Sequence, residues 1–321
     1  MTELPLGYFA AEILEVTRQA EQVVSLTLAV PAELADQPWH PGAHVEVLID
    51  GEHLRHYSIS TPPQHPGAWR IAILDLPEGR GGSSYMHSLE VGHSIEVAAP
   101  RNHFTLDLTS EHYLFIAGGI GITPILSMVE AAEVAGVNWR LLYLGGTRIS
   151  MAFLDELAQF GDKVTYLAKS EIGPVDLEPM IDATLAAAGM PPAYTQLYAC
   201  GPARLLDALE DLDLLPGQLH TERFLAGEIE YEDEVGFIVE LKDGREIEVA
   251  ADETIIDAVE AAGVMVASSC REGICGTCVT RVKEGLPDHR DAVLSDEEHA
   301  SNKVMTVCVS RSLTDRLVLD L

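Results

Sequence analysis

Four of the five cysteines fall in the last quarter of the chain, as Cys270-x4-Cys275-x2-Cys278 and, much later, Cys308. Three thiolates on one tight loop and a fourth from a distant segment have the plant-type [2Fe–2S] spacing, in which four sulfurs converge on two irons. Gly273 and Gly276 lie between the loop ligands, where they let the backbone turn sharply and aim N–H groups at the sulfurs. Two other readings remain. A structural zinc site usually pairs two CxxC units, and only Cys275/Cys278 makes one here. The four can also be ordinary buried cysteines. A total of five, an odd number, with four of them in one quarter does not suit a disulfide framework.

Other constellations stand out upstream. Gly118-Gly119-Ile120-Gly121-Ile122-Thr123-Pro124 follows an apolar run and opens a helical stretch. Such a loop lets a pyrophosphate approach the backbone and the helix N-terminus, although it is not GxGxxG and also reads as a plain tight turn. Gly79-Arg80-Gly81-Gly82-Ser83 can close on a phosphate through backbone N–H groups. Arg55-His56-Tyr57-Ser58, taken alone, is a solvated Arg beside a sheet Tyr. Cys200-Gly201-Pro202 joins a strand to a helix, where a cysteine is usually core. Glu222 and Phe224, taken alone, are an exposed acid and a core aromatic. Arg148 follows the second strand of the middle segment, where a ribose-recognising group often sits.

These residues require positioning elements of three kinds. Up to about Leu108, short alternating runs at 23–30, 45–49, 69–74 and 94–98 are bounded by turns such as Pro41-Gly42, Asp50-Gly51 and Pro62-Pro63. This spacing predicts an antiparallel barrel or sandwich. The middle segment alternates strands (112–117, 140–144, 163–168, 196–199) with helices (123–135, 151–160, 204–212), which implies a parallel sheet covered on both faces. Thr123 is expected as the N-cap of the first helix, with Pro124 in its first turn. The stretch 176–189 is a further helical region without a usable motif. Residues 226–234 are acidic and aperiodic, and read as a linker. Next, 236–241 and 245–249 flank Lys242-Asp243-Gly244, a hairpin signal. A helix over 254–262 then ends at Gly263.

Ser269-Cys-Arg-Glu-Gly-Ile-Cys-Gly-Thr-Cys278 resembles the ferredoxin module of the phthalate dioxygenase reductase family, and the upstream motifs follow in that family's order over essentially the whole chain. The resemblance implies a multidomain chain. An antiparallel β-barrel flavin domain would span 1–108 and an α/β parallel-sheet nicotinamide domain 109–226. A linker would follow at 227–235, then a C-terminal β-grasp [2Fe–2S] ferredoxin domain at 236–321. Arg55-His56-Tyr57-Ser58 resembles the RxYS motif of flavin barrels. Arg55 would pair with a flavin phosphate, Tyr57 lie against the isoalloxazine ring and Ser58 reach its N5. Gly81, Gly82 and Ser83 would serve FMN, with His56, Ala72 and Leu74 in the same site, and Pro100-Arg101-Asn102-x-Phe104 matches the family's barrel ending. FMN rather than FAD is itself an implication of the family. Gly119, Gly121, Thr123 and Pro124 match its GGxGxTP loop. Cys200, Gly201 and Pro202 would lie by the nicotinamide, Phe224 near the flavin and Glu222 near the flavin–nicotinamide contact. Ser58, Cys200 and Glu222 are the expected catalytic residues, with Cys200 not a nucleophile. The family mostly uses NADH and carries basic residues near Arg148, so NADH is expected although Arg148 could favour a 2′-phosphate. Arg271 either links cluster and flavin or is simply solvated.

The implied activity is an oxidoreductase relay, NADH to FMN to [2Fe–2S] and then, one electron at a time, to a terminal Rieske-type, non-haem iron oxygenase. The alternatives are a reductase for a P450-type oxygenase, a free-standing NADH diaphorase and a non-catalytic electron carrier, the last disfavoured by intact flavin and nicotinamide motifs. The net charge of −31 argues against nucleic acid or anionic membranes as partners. It serves solubility, or steering toward a basic patch. No stretch approaches a transmembrane length, and the first residues, Met-Thr-Glu-Leu-Pro, lack the basic and apolar regions of a signal peptide. A cytoplasmic monomer is expected.

Overall fold

Alternation of apolar and polar residues builds the N-terminal sheet. In the computed structural model, which describes residues 7–49, 53–61, 67–76, 81–224 and 235–321, it contains six strands. They are β1 (Tyr8–Ala20), β2 (Val23–Ala29), β3 (His44–Ile49), β4 (His53–Ser58), β5 (Ala68–Leu74) and β6 (Ser94–Ala98), in the antiparallel order β4-β3-β6-β1-β2-β5. Beyond β4 the chain bonds across to β5. Ser60 N–H donates to Arg70 O at 2.7 Å, and Arg70 N–H donates to Thr61 Oγ1 at 2.5 Å. These bonds close the sheet into a barrel filled by Ile13, Leu26, Val45, Val47, Trp69, Ile71 and Val97. A short helix, α1 (Gly82–His87), precedes β6 and buries Met86. β1 was not foreseen. It pairs with β6 through Tyr8–Glu12 and with β2 from Ile13 onward, across two irregularities, so its polar residues never form a clean alternation. Of the expected turns, Asp50-Gly51, Pro62-Pro63 and Gly79-Arg80 lie outside the described residues.

Both faces of β3 are covered. Val45 and Val47 face the barrel core, while His44 and Glu46 are buried on the opposite side. There the Tyr8 hydroxyl donates to Glu46, His56 Nε2 lies 3.0 Å from Glu46 Oε2, and the His44 ring sits 5.2 Å from that of His56.

The next layer consists of β7 (His112–Gly118), α2 (Ile122–Ala135), β8 (Asn138–Gly145), α3 (Leu154–Leu157), β9 (Val164–Ala168), α4 (Lys169–Ile172), α5 (Leu177–Ala188), β10 (Thr195–Cys200), α6 (Ala203–Glu210) and β11 (Leu219–Glu222). The sheet order is β11-β10-β7-β8-β9, with every pairing parallel. Chain direction across the sheet reverses between β7 and β10, so a crevice opens at their C-terminal ends. Two expectations change in detail. Gly121, not Thr123, is the N-cap of α2, and the Thr123 hydroxyl instead donates to Ile120 O at 3.0 Å. The helix expected over 151–160 is one turn of α3 followed by 3-10 turns. Phe153 enters it at φ 61° and Gly161 breaks it at φ 55°. Arg70 of β5 donates from both Nη atoms to Glu156 at 2.9 Å, which joins barrel and α/β layer within one unit, Met1–Glu222.

The second unit, Arg223–Leu321, holds β12 (Phe237–Glu240), β13 (Glu246–Val249), α7 (Ile255–Ala261), β14 (Val279–Glu284), β15 (Pro287–Asp288), α8 (Asp296–Ser301), β16 (Val304–Thr306), β17 (Arg311–Ser312) and β18 (Arg316–Leu319). The expected hairpin is β12–β13, turning at Gly244 with φ 81°. β12 also pairs in parallel with β18, giving the order β13-β12-β18-β14-β16, a β-grasp sheet under α7. Thr254 caps α7 by accepting from Asp257 N–H at 3.2 Å. The fold class expected from sequence is the one observed. The expected linker, except Val235, lies outside the described residues. Among the described residues no helix is long and apolar enough to cross a membrane.

Candidate functional site

The barrel offers a cradle at the start of α1. Gly81 takes φ 84°, which turns the chain into the helix. The Arg55 guanidinium lies against the helix start, its Nε 3.3 Å from where a Cβ on Gly82 would stand. The first-turn N–H groups of a helix have no intrahelical acceptor. Here they sit beside a fixed cation, and an anion of phosphate size suits both. The Ser83 hydroxyl is engaged with the Leu76 backbone, accepting from its N–H at 3.0 Å, so Ser83 offers its own N–H rather than its side chain. Tyr57 alternates with Arg55 on the same face of β4 and packs on the barrel core, where burial pushes its phenol up to about 12. Ser58 is buried at the strand end, and Ala72 and half-buried Leu74 lie on β5. His56 faces the other way, toward Glu46.

The crevice between β7 and β10 brings together two loops distant in sequence. A Cβ on Gly121 would stand 2.3 Å from Cys200 O. On Gly118 it would stand 2.8 Å from Pro202 Cδ, and on Gly201 3.0 Å from Gly118 Cα. Gly121 and Gly201 therefore let backbone pack on backbone, and Gly118 makes room for the Pro202 ring and the Leu205 side chain. Gly119 differs: it has φ 55° and nothing within 4 Å of its absent Cβ, so it faces open space. The Tyr143 hydroxyl, which was not foreseen, ties this loop down. It donates to Gly119 O at 3.3 Å and accepts from Ala152 N–H at 3.0 Å. The available signal was a tyrosine on a buried strand face, which needs a partner for its hydroxyl.

Cys200 and Glu222 are register partners at the ends of β10 and β11. Cys200 is fully buried, and burial, reinforced by Glu222 when that carboxyl is ionised, pushes its thiol up and keeps it protonated. Burial also pushes Glu222 up to about 8. Its Oε2 has no hydrogen-bond partner among the described residues, although the residue as a whole is half-buried. An orphaned, largely neutral carboxyl at a crevice mouth suits a polar ligand group. Thr123 and Pro124 are buried in the first turn of α2. Arg148, just beyond β8, donates to Glu171 Oε2 at 3.0 Å and lies over the Tyr166 ring. Phe224 is half-buried and belongs to the second unit.

In the second unit the four cysteines converge as two pairs. Cys278 and Cys308 have their Sγ atoms 3.1 Å apart, and Cys270 hydrogen-bonds Cys275. Two sulfur pairs fit two irons. Gly273 and Gly276 both adopt φ 70°, as the loop's turns require, and Gly273 has no room for a side chain beside Val309. Glu272 N–H points at Cys270 Sγ at 3.3 Å. The Cys270 hydrogen bond, with help from Thr277 and backbone N–H groups, holds Cys275 down at about 4 against burial. Cys308 likewise lowers Cys278. One sulfur of each pair is thus held toward the thiolate, the form that binds iron, while its partner, Cys270 or Cys308, is pushed up by that same hydrogen bond and by burial. Arg271 pairs with Asp257 and Glu260 of α7, at 2.9 and 2.5 Å.

The 2Fe-2S iron-sulfur cluster binding domain family matches residues 238–313. Phenoxybenzoate dioxygenase subunit beta of Ectopseudomonas oleovorans is 43% identical over 306 residues, covering 94% of each chain. Among solved structures, phthalate dioxygenase reductase, described as a modular structure for electron transfer from pyridine nucleotides to [2Fe–2S], is 32% identical. It has a TM-score of 0.70 and 98% of each chain covered. An intact type IV self-sufficient cytochrome P450 monooxygenase is 36% identical with a TM-score of 0.85; the match takes in all of this chain but only 43% of that one.

Proposed function

The chain belongs to the phthalate dioxygenase reductase family, and from that premise we propose that it is the NADH-dependent reductase component of a two-component Rieske non-haem iron oxygenase or demethylase, carrying electrons from NADH through FMN and a [2Fe–2S] cluster to the oxygenase. The observation that carries this reading is the pairing of Cys270 with Cys275 and of Cys278 with Cys308. When bound, the flavin divides a two-electron hydride into single electrons that the cluster can accept.

The protein's own residues hold and orient. Arg55 and the N–H groups of Gly82 and Ser83 receive the single phosphate of FMN, with Tyr57 and Ser58 next along the strand for the ring, and Ala72 and Leu74 beside them. Gly119 presents an open backbone to the dinucleotide at the start of α2. Cys200 is the inert wall of the nicotinamide end, and Glu222 supplies an acceptor or, protonated, a donor there. Arg148 is already neutralised by Glu171, and that carboxylate would repel a 2′-phosphate, which favours NADH. The reading places flavin, nicotinamide and ferredoxin parts at 1–108, 109–226 and 236–321, in a cytoplasmic monomer.

The test is anaerobic rapid mixing of the holoprotein with NADH or NADPH. Flavin absorbance should fall first and cluster absorbance after it, faster with NADH. No flavin reduction by either nucleotide would reduce the protein to a passive carrier. The likeness to part of a self-sufficient P450 favours a second reading, a haem oxygenase as acceptor. Offering the reduced protein a Rieske oxygenase and a P450 in parallel separates the two by rate.

A further inference from the structure

Apart from the cysteines, the second unit carries another set of metal-binding side chains. His289 follows β15, Asp291 lies two residues on, and His299 comes from α8. One ligand atom from each lies within 4.8 Å of the other two. The Asp291 side chain is entirely buried and His289 is 11% exposed. Asp291 Oδ2 is well served, accepting from Leu294 N–H at 2.8 Å and Val293 N–H at 3.3 Å, with His299 Nε2 also at 3.3 Å. Its other oxygen is not. Oδ1 and the facing His289 Nδ1 stand 3.9 Å apart, and neither has a hydrogen-bond partner among the described residues. A buried carboxylate oxygen and an imidazole nitrogen that face each other without a hydrogen bond are costly unless something positive lies between them.

The far side of His289 sharpens this. Its Nε2 lies 3.3 Å from Asn302 Oδ1, an acceptor. Donating Nε2–H there leaves the lone pair on Nδ1, aimed at Asp291. This is the arrangement by which an outer carbonyl fixes the tautomer of a metal-bound histidine.

We propose that His289 Nδ1, Asp291 and His299 Nε2 form a binding site for a divalent transition metal of the zinc class, distinct from the cysteine cage. Two imidazoles and a carboxylate are a ligand set for such ions, and the tetrahedral separation between ligands at ordinary bond lengths is about 3.3 Å. His299 Nε2 lies 3.3 Å from Asp291 Oδ2 and His289 Nδ1 lies 3.9 Å from Oδ1, with one ligand atom of each residue within 4.8 Å of the others, so the side chains would draw in by up to about 1.5 Å to hold one ion. His299, 30% exposed, leaves a solvent-facing fourth position for water. The ion would join the end of β15 to α8. It would also brace the cysteine loop from behind, because Ala292 N–H donates to Gly273 O at 3.0 Å.

The test is calorimetric titration of zinc chloride into metal-stripped holoprotein, with cluster absorbance followed throughout. One ion per chain should bind with the cluster spectrum intact. His299→Ala and His289→Gln, each checked for a native cluster spectrum, should weaken binding by at least about tenfold. Three results would overturn the site: no stoichiometric uptake, as when a proton bridges His289 and Asp291; uptake unchanged in both variants; or uptake that bleaches the cluster in step, placing zinc on the cysteines.

Discussion

His44 illustrates how single residues set the pH behaviour of this protein. Burial, with the neighbouring His56, His103 and Arg101 adding to it, pulls its imidazole from 6.5 down to about 3. The folded form therefore stays neutral over a range in which the unfolded chain takes up a proton. Stability from this residue is present above pH 6.5 and is lost progressively as pH falls toward 3, by at most about 2 kcal/mol at pH 5. Denaturant unfolding followed by tryptophan fluorescence reports on this unit, since Trp39, Trp69 and Trp139 all lie in it. The loss between pH 7 and 5 should be smaller in His44→Gln than in the parent; equal losses would remove His44 as the cause. Nothing in the sequence marked His44, because its burial comes from β3 being covered on both faces. Arg55, Cys200, Cys270, Cys275 and Cys278 stood out because each sits in a short motif whose chemistry is local, whereas Cys308 stood out only as the remaining cysteine of a distant segment.

At the scale of elements, the two crevice loops are coupled by missing side chains. Gly121 has an ordinary helical φ of −61°, so Gly121→Ala carries no backbone strain. Its methyl would meet the Cys200 carbonyl at 2.3 Å, and neither side is a flexible side chain that can swing away. Forcing the loops apart should cost about 1–3 kcal/mol and raise KM for NADH while flavin content stays at the parent level. Thermal unfolding and steady-state kinetics measure both; an unchanged midpoint and KM would mean that the loops do not need to touch. The sequence suggested that these glycines admit a pyrophosphate, whereas the structure divides the work. Gly121 and Gly201 admit facing backbone, Gly118 admits the Pro202 ring and the Leu205 side chain, and Gly119 faces open space. The approach of Gly121 to Cys200, between loops some eighty residues apart, leaves no local pattern to read. The strands of the parallel sheet were legible from their apolar runs. The helix expected over 151–160 failed at Phe153 and Gly161, where left-handed backbone interrupts an otherwise helical composition. α1 was read as a glycine loop because Gly81 and Gly82 open it.

The molecule as a whole carries 51 acidic residues against 20 basic ones. A surface of this sign raises the encounter rate with a positively charged partner and is screened by salt, whereas hydride transfer between bound groups is not. Raising ionic strength from about 0.02 to 0.5 M, across which the screening length shrinks severalfold, should slow delivery to the oxygenase and leave NADH-to-flavin reduction unchanged. Equal insensitivity of both steps would leave the charge a matter of solubility. The order of sites along the chain was readable from three motifs in sequence. The partner was not, because its selection belongs to surface shape and charge rather than to any motif. The most direct test of the relay is Cys308→Ser, which removes the distant ligand while leaving Cys270, Cys275 and Cys278 on their loop. In stopped-flow mixing with NADH and then with the oxygenase, flavin reduction should keep its parent rate and electron delivery should collapse. Delivery at the parent rate would contradict the account, since electrons would then be leaving without the cluster.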